Sequence, residues 1–347
     1  MTAGARAAGT GGNATERGVR FSIVAPLFDL RDAGYRALAS ALDQAFAREG
    51  YEVIAVVDAH ARDLPSELLA RCDRVIAVAI DGGDVASEIA LFDAGARAAR
   101  GEYLFFIEGH TVLMPDALRT LARALERSPR PDVVCGGRVD HAGTRLGALI
   151  GGNNARHALR ASRGGQFTLG ANCAVARARF DALGGFDPRY LRFNETVLFR
   201  RAVAAGAVVA AIDDVLCIHH DDAPFAWLVR LLRATGRAKS RYYRTLPEAG
   251  RSPQVRHPVY RWLGSRVAAA ATALPLGIAG PALIAAAMLL VRRVPTLAGR
   301  LYLLGVGCTD VAGFCTDRAT TRARRGRSTD GAPPSKPSLA TDYELHA

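Results

Sequence analysis

The sequence predicts an α/β protein whose central sheet is mostly parallel and flanked by helices. Between residues 21 and 135, short apolar runs of strand length alternate with segments that have helical spacing. Strands that alternate with helices of about ten to fifteen residues are typical of βαβ units. Two of the apolar runs end on an acid, Asp58 and Glu108. Because ligands of such sheets bind at the carboxyl ends of the strands, we expect the functional site at this edge.

The predicted elements follow one another in a regular order. Apolar runs predict strands at 21–25, 52–57, 74–80 and 103–107, with a further strand starting at 133. Segments with apolar residues three or four apart predict helices at 33–49, 66–71, 85–100 and 114–126. Pro26, Gly50 and Gly101 stand at the ends of these elements, where proline and glycine stop regular structure.

The chain from 136 to 222 has a less regular pattern. Its run of glycine and asparagine at 151–154 predicts a loop, and a helix is predicted at 196–205. A basic amphipathic helix follows at 225–243. These segments complete a domain that we place at residues 19–245.

The composition changes sharply in the region 246–317, which is predicted to be hydrophobic, helical and membrane-associated. Residues 267–291 carry no charge and lie between Arg266 and Arg292. About 20 apolar residues are enough to cross a bilayer core. A poorer candidate at 301–315 is interrupted by Asp310, and the two together predict a membrane hairpin with both ends in the cytosol. A buried helix pair in a larger soluble domain is the competing interpretation.

Charge and cysteine usage narrow the class of partner. The formal net charge is +12, and the basic excess lies mostly in the C-terminal half, which suits an anionic membrane or a phosphorylated ligand. We find no motif typical of nucleic-acid binding and expect no nucleic-acid partner. The six cysteines are scattered without a CxxC pair, which is typical of reduced thiols in a cytosolic domain. Residues 1–18 and 318–347 are predicted to be a disordered leader and tail.

Six segments of the chain, taken in order, resemble family 2 glycosyltransferases of the GT-A fold over residues 21–244. They are Phe21-Ser-Ile-Val-Ala-Pro26, Glu52-Val-Ile-Ala-Val-Val-Asp58, Asp93-Ala-Gly95 with the run 99–107, Met114-Pro-Asp-Ala-Leu118, Gly170-Ala-Asn172 with Leu183-Gly-Gly-Phe-Asp187, and Asn194-Glu-Thr-Val-Leu-Phe-Arg-Arg201. The resemblance implies a Rossmann-like GT-A domain that binds a nucleotide-sugar donor. It implies donor contacts from Pro26, Asp58, Asp93, Glu108 and His110.

The metal-binding motif of the family is altered in this chain. Where the family has DxD, the sequence has Glu108-Gly109-His110. The family's acids hold a divalent cation against the donor diphosphate, so the resemblance implies Mn²⁺ or Mg²⁺ at Glu108 and His110, with His219 as a further candidate ligand. Mg²⁺ prefers oxygen ligands, whereas an imidazole favours a softer metal such as Mn²⁺ or Zn²⁺. Metal dependence therefore stays open at this point, since His110 can also hydrogen-bond the diphosphate directly.

The resemblance also implies the catalytic base. Glu195 matches the family's catalytic acid at the start of a helix, where the helix dipole favours the ionised form. It would take the proton of an acceptor hydroxyl in an inverting transfer. Each assigned residue has a structural alternative: Glu195 as a helix-start carboxylate, Asp58 as a turn residue, Asp93 as a solvated helix residue and His219 as a strand-end histidine.

We therefore expect a membrane-bound hexosyltransferase-like enzyme with its catalytic domain in the cytoplasm and membrane lipids among its partners. The acceptor is unknown and would belong to cell-envelope glycan, glycolipid or secondary-metabolite synthesis. The alternative is a catalytically altered relative of the same fold with a binding or regulatory role, which the changed DxD favours. A dinucleotide-binding Rossmann enzyme is disfavoured because no GxGxxG follows the first strand.

Overall fold

The computed structural model describes residues 19–28, 33–80, 87–164, 173–187, 190, 193–245, 262–263 and 265–320. In this part of the chain, eight strands form one sheet in the order β3-β2-β1-β4-β7-β6-β8-β5. The strands are β1 Phe21–Pro26, β2 Tyr51–Asp58, β3 Arg74–Val78, β4 Tyr103–Phe106, β5 Thr111–Leu113, β6 Val133–His141, β7 Cys173–Ala176 and β8 Val209–His220. The predicted leader, the predicted tail beyond residue 320 and the segment 170–172 lie outside the described residues.

The sheet is mixed, and its parallel half matches the βαβ pattern of the sequence. β1 pairs in parallel with β2 and β4, and β2 pairs in parallel with β3. The later strands add antiparallel pairs β4–β7, β6–β7 and β5–β8 and the parallel pair β6–β8. Because β1, β2 and β4 run in the same direction, Pro26, Asp58 and the segment after Phe106 reach the same edge of the sheet.

Helices cover both faces of the sheet. They are α1 Arg36–Leu42, α2 Ser66–Leu69, α3 Ser87–Ala98, α4 Ala117–Ala124, α5 Arg145–Gly164, α6 Arg177–Ala182, α7 Asn194–Ala204, α8 Phe225–Thr245, α9 Arg266–Leu290 and α10 Pro295–Thr320. One apolar core lies between the sheet and α1 and α4, and includes Leu38 and Leu118. The other lies under α3, α6 and α7 and includes Phe92, Phe180 and Leu198. Two separate cores explain why the strands are apolar on both sides.

The prediction of one long helix at 33–49 was wrong. The helix α1 ends at Leu42, and the side chain of Gln44 then donates hydrogen bonds to the carbonyls of Ser40 and Met114. The backbone N–H of Ala45 also donates to Pro115, 2.7 Å away. These bonds to the segment before α4 draw the chain away from the helix axis, and their partners are 70 residues away in the sequence.

The prediction of a loop at 151–154 was also wrong, because these residues lie inside α5. In the first turn of the helix, the N–H of Gly147 donates to Thr144 Oγ1 at 2.9 Å, and just before the helix the Asp222 carboxylate accepts hydrogen bonds from the backbone N–H of Gly143 and Thr144. A Cβ at Gly147 would lie 2.2 Å from the Asp222 carboxylate. A Cβ at Gly151, within the predicted loop, would lie 2.9 Å from the Asp221 carboxylate, so this glycine also allows α5 to approach the end of β8 closely.

The C-terminal region forms two long helices, α9 and α10, that pack side by side. Within the described residues, α9 has the length and apolar composition needed to cross a membrane, which by itself is weak support for a span. The predicted second candidate, 301–315, is part of α10, where Asp310 is paired with Lys239 of α8. The helix continues to Thr320, so residues 318–320 belong to it.

Candidate active site

Three buried side chains meet at the carboxyl edge of the sheet. Glu108 follows β4, His110 precedes β5, and His219 lies near the end of β8. His110 Nε2 lies 3.0 Å from His219 Nε2. Glu108 Oε2 lies 3.2 Å from His219 Nε2 and 3.3 Å from His110 Nε2. The altered DxD segment and the distant His219 therefore form one cluster.

The strand pairing explains why these residues meet. β5 runs antiparallel to β8 with Thr111 opposite His219, which places the preceding His110 beside the end of β8. The backbone N–H of His220 donates to the His110 carbonyl, 3.1 Å away. On the other side, the N–H of Ile107 donates to Val24 of β1 and aligns Glu108 with the edge. The cluster is thus held by backbone bonds from three strands.

The cluster fits a divalent cation in donor type and in size. Two imidazole nitrogens and one carboxylate oxygen lie within 4.8 Å of one another. Metal–ligand bonds of about 2.0–2.2 Å at angles between octahedral and tetrahedral separate neighbouring ligand atoms by about 2.8–3.6 Å. The three distances here fall in that range. Two imidazoles with one carboxylate favour a metal such as Mn²⁺ or Zn²⁺ over Mg²⁺.

A second group of side chains contacts the Nδ1 side of His219, whereas Glu108 and His110 face its Nε2. Its Nδ1 lies 2.9 Å from Asp221 Oδ1 and 3.4 Å from Asp140 Oδ1. Asp221 is fully buried, and Asn154 of α5 donates to its Oδ1 at 2.8 Å. A carboxylate at Nδ1 keeps the proton of a neutral imidazole there, so Nε2 is left free to bind a metal. Our sequence reasoning did not assign Asp140, Asp221 or Asn154; the run of histidines and aspartates at 219–222 was the available signal.

The buried charges shift the pKa values of the cluster in the metal-free protein. Burial acts to lower the pKa of His219, but hydrogen bonds to Asp140, Asp221 and Glu108 outweigh it and raise that pKa to about 10. Burial acts to raise the pKa of Glu108, but His110 and His219 hold it well below the usual range. The site therefore carries an ionised carboxylate against positive charge, and the proton on His219 occupies the place that a cation would take.

Changing Asp221 to asparagine is expected to weaken Mn²⁺ binding by about 10- to 100-fold, as loss of an outer-shell partner typically does. An amide can present its N–H to Nδ1, which moves the imidazole proton to Nε2, the atom that faces Glu108 and His110. Isothermal titration with Mn²⁺ measures the effect. Asp213→Asn, an exposed position on the same strand, is the matched control. Equal affinities for Asp221→Asn and wild type would show that Asp221 does not hold His219 for a metal.

Pro26 and Asp58 lie at the same edge on the neighbouring strands. Pro26 pairs with Val56, and the N–H of Leu27 donates to the Val56 carbonyl, so the chain leaves β1 beside the end of β2. Asp58 ends β2, and its Oδ1 accepts the N–H of His60. Asp58 thus has the contacts of a turn residue at the carboxyl end of β2.

Asp93 lies on α3 and forms an ion pair with Arg97 one turn later. It is close to the turn that precedes α7, since a Cβ at Gly185 would lie 3.4 Å from Asp93 Oδ1. This position is compatible with either a donor contact or a structural ion pair.

Glu195 lies in the first turn of α7, as the sequence predicts. It is near Cys173, whose pKa is raised well above its usual value mainly by burial, then by Cys135, with Glu195 adding to the effect. The antiparallel register of β4 and β7 pairs Phe105 with Ala174, so Cys173 lies beside Phe106, at the end of β4. Glu195 therefore lies within electrostatic range of the end of β4, which precedes Glu108, and is outside the three-residue cluster.

The comparisons with known proteins agree with this architecture. The chain is similar to the mannosyltransferase PcManGT from Pyrobaculum calidifontis, solved in complex with GDP-Man and Mn²⁺, at 16% identity and a TM-score of 0.52 over 86% of each chain. It is also similar to S. aureus TarS 1-349 in complex with UDP, at 12% identity and a TM-score of 0.45 over 86% of this chain and 90% of that one. No curated protein matched the sequence.

The mixed sheet and its flanking helices form the GT-A fold, the fold of a class of glycosyltransferases. Residues 22–183 match the family model for glycosyl transferase family 2. Over this segment the protein is a family 2 glycosyltransferase with Glu108-Gly109-His110 in place of the usual DxD, and glycosyl transfer is the reaction of that class.

Proposed function

We propose that the protein is an inverting, hexosyltransferase-like enzyme that moves a sugar from a nucleotide-sugar donor to an acceptor hydroxyl. The observation that supports this proposal is the cluster of Glu108, His110 and His219 at the edge of the sheet where β2 also ends, on Asp58. Such an edge can bind the nucleoside diphosphate of a donor and can also present a carboxylate that acts as the general base.

In the proposed reaction, Glu195 accepts the proton of the acceptor hydroxyl as that oxygen attacks the anomeric carbon. The new glycosidic bond forms on the face opposite the donor diphosphate while the bond to the phosphate oxygen breaks, so the nucleoside diphosphate leaves with the electron pair. A divalent cation held by Glu108, His110 and His219 would neutralise charge on the leaving group.

The donor side of the site is proposed from the positions of three further residues. Asp58 would accept hydrogen bonds from the base or ribose, and Pro26 would support the turn against which the base lies. Asp93 is a candidate for a ribose or base contact. The GDP-Man and Mn²⁺ bound to PcManGT support a nucleoside diphosphate-sugar and a cation as ligands.

We propose that the protein works at the cell membrane with its catalytic domain in the cytoplasm and membrane lipids as partners. The apolar α9 supports the membrane location. The cysteines of the described residues are free thiols, as in a reducing compartment. A cell-envelope glycan, a glycolipid or a lipid-linked secondary metabolite would then be the acceptor.

A thermal-shift screen tests the donor assignment. The purified full chain is heated with UDP-, GDP- and dTDP-sugars, each with Mn²⁺ and with EDTA. Stabilisation follows the ratio of ligand concentration to Kd, about 2.7 kcal/mol at 100 times Kd, so one nucleotide should raise the Tm and EDTA should reduce the shift. If none of these nucleotides moves the Tm in either condition, the proposed donor site is wrong.

A further inference from the structure

The three C-terminal helices form a flat stack against the catalytic domain. Glycines allow close contact at both interfaces: a Cβ at Gly236 of α8 would lie 1.9 Å from the Asp310 carbonyl of α10, and a Cβ at Gly280 of α9 would lie 2.2 Å from Thr309 of α10. The middle helix, α10, therefore touches α8 on one side and α9 on the other. We call this unit the helix stack, α8–α10–α9.

Both ends of α9 pack against other helices of the protein. The contacts involve α10, α8 and α5. Near its start, Ala269 packs with Phe314, which contacts Tyr243 at the end of α8. Near its end, Ile284 packs in a cluster with Leu149 of α5 and Leu228 at the start of α8. Because the two ends of α9 reach the two ends of α8, the helix lies along the domain over its whole length.

Charged side chains pair between α8 and α10 in the helix stack. Asp310 of α10 is paired with Lys239 of α8, and Asp317 lies 3.0 Å from Arg244. The Gly277 carbonyl of α9 has lost its helical partner, because residue 281 is a proline without an N–H. Arg233 of α8 donates to this carbonyl at 2.9 Å. A guanidinium thus contacts the midpoint of the most apolar helix.

These contacts oppose a membrane-crossing orientation of α9. A bilayer-spanning helix would place its midpoint, and with it Arg233 and the Lys239–Asp310 pair, at the centre of the hydrocarbon, where such groups are costly. The turn between α9 and α10 would have to lie on the far side of the membrane, yet Ile284 near that turn packs against α5.

The outer face of α9 is nevertheless exposed and apolar. Only 17% of the most apolar 18 residues of α9 are buried. Four large side chains of the helix have relative exposures between 65% and 79%: Val267, Leu274, Ile278 and Leu289. Their spacing of four to eleven residues keeps them on one face of the helix. The neighbouring part of α10 adds Leu303 and Leu304. We call this surface the apolar stripe.

Exposed arginines lie at both ends of the apolar stripe: Arg266 at its start, and Arg292, Arg293 and Arg300 around the turn that closes it. Basic residues at the ends of an apolar helix face are attracted to the phosphates of an anionic membrane.

We propose that α9 lies flat in one leaflet, with the apolar stripe among the acyl chains and the flanking arginines on anionic lipid phosphates, and that it does not cross the bilayer. This rests on the membrane location proposed above and replaces the hairpin that the sequence predicts. α8 packs Tyr242 against Phe193, next to α7, so the stack would hold the Glu195 helix at a constant height above the lipid.

Vesicle binding of the full chain tests the surface. We expect co-sedimentation with vesicles of phosphatidylcholine and phosphatidylglycerol, weaker binding to phosphatidylcholine alone, and loss of binding in the double variant Leu274→Glu, Ile278→Glu. Val203→Glu, an exposed apolar position on α7, should bind like wild type. Equal binding of wild type and the double variant would overturn the proposal. So would a dimer by light scattering that the double variant dissociates while vesicles are not bound, because a second copy would then cover the stripe.

Depth measurements separate a flat helix from a spanning one. Single tryptophans are placed by Val267→Trp, Ile278→Trp and Leu289→Trp in a background with Trp227→Phe and Trp262→Phe, and are quenched by brominated lipids. The outer positions are about 33 Å apart along the helix. A flat helix gives the same shallow depth at all three, whereas a deep Ile278→Trp between shallow ends would overturn the proposal. The depth measurement involves no donor, so a result against a flat helix would not affect the transferase assignment. A failed nucleotide screen would likewise not affect the depth measurement.

Discussion

The variant Glu195→Gln is expected to lose transfer activity by about 100- to 10,000-fold, the usual contribution of a general base. Glutamine has nearly the same shape as glutamate but does not accept the acceptor's proton. Glu195 lies outside the Glu108, His110 and His219 cluster, so the Kd for the nucleotide-sugar and for Mn²⁺ should stay within a few-fold of wild type. Transfer rates at saturating donor, together with donor titrations, separate the two effects.

Glu67→Gln is the matched control for this substitution. Glu67 is also the acid of a first helical turn, in α2, but it is exposed and belongs to no part of the site. Its variant should transfer at the wild-type rate. If Glu195→Gln also keeps the wild-type rate, Glu195 is only a helix-start carboxylate. If wild type binds donor but transfers to no acceptor and does not hydrolyse the donor, the binding or regulatory alternative is favoured.

The variant His219→Ala is expected to weaken Mn²⁺ binding by more than about 100-fold, beyond the range that follows loss of an outer-shell partner. It removes one of three ligand atoms that face one another at 3.0–3.3 Å, and it leaves Asp221 buried without that imidazole. Transfer should fall with metal occupancy and recover partly at high Mn²⁺. Titration of Mn²⁺ by electron paramagnetic resonance measures occupancy directly.

Pulsed electron paramagnetic resonance on the same samples resolves the nitrogen couplings and gives a second readout. Wild type should show coupling to two imidazoles and His219→Ala to one. His141→Gln is the control, since His141 stacks with His220 on the neighbouring strand and lies outside the three-residue cluster. Spectra that show two imidazoles in both wild type and His219→Ala would remove His219 from the metal site and leave its role structural.

The parallel part of the sheet, which contains β1, β2 and β4, can be predicted largely from the sequence, because its apolar runs and turn residues are local patterns. The apolar runs of β1, β2 and β4 and the acids that follow them are contiguous in the chain, and parallel strands carry such residues to one edge. The position of Glu195 in the first turn of α7 follows from local pattern in the same way. Long-range contacts decide the rest of the site. Asp221 is only two residues from His219, but Asn154, which donates to it, comes from α5, and Asp140, beside the same imidazole, comes from β6.

The amino-acid sequence alone determined the α/β class, the family and the candidate residues Asp58, Glu108, His110 and Glu195, because order, spacing and periodicity are properties of the chain itself. Tertiary structure decided that His219 joins the altered DxD, that the Asp222 carboxylate meets the start of α5 from 78 residues away, and that Arg233 meets the middle of α9. Those outcomes depend on strand pairing and helix packing, which bring together residues whose separation in the chain carries no local signal.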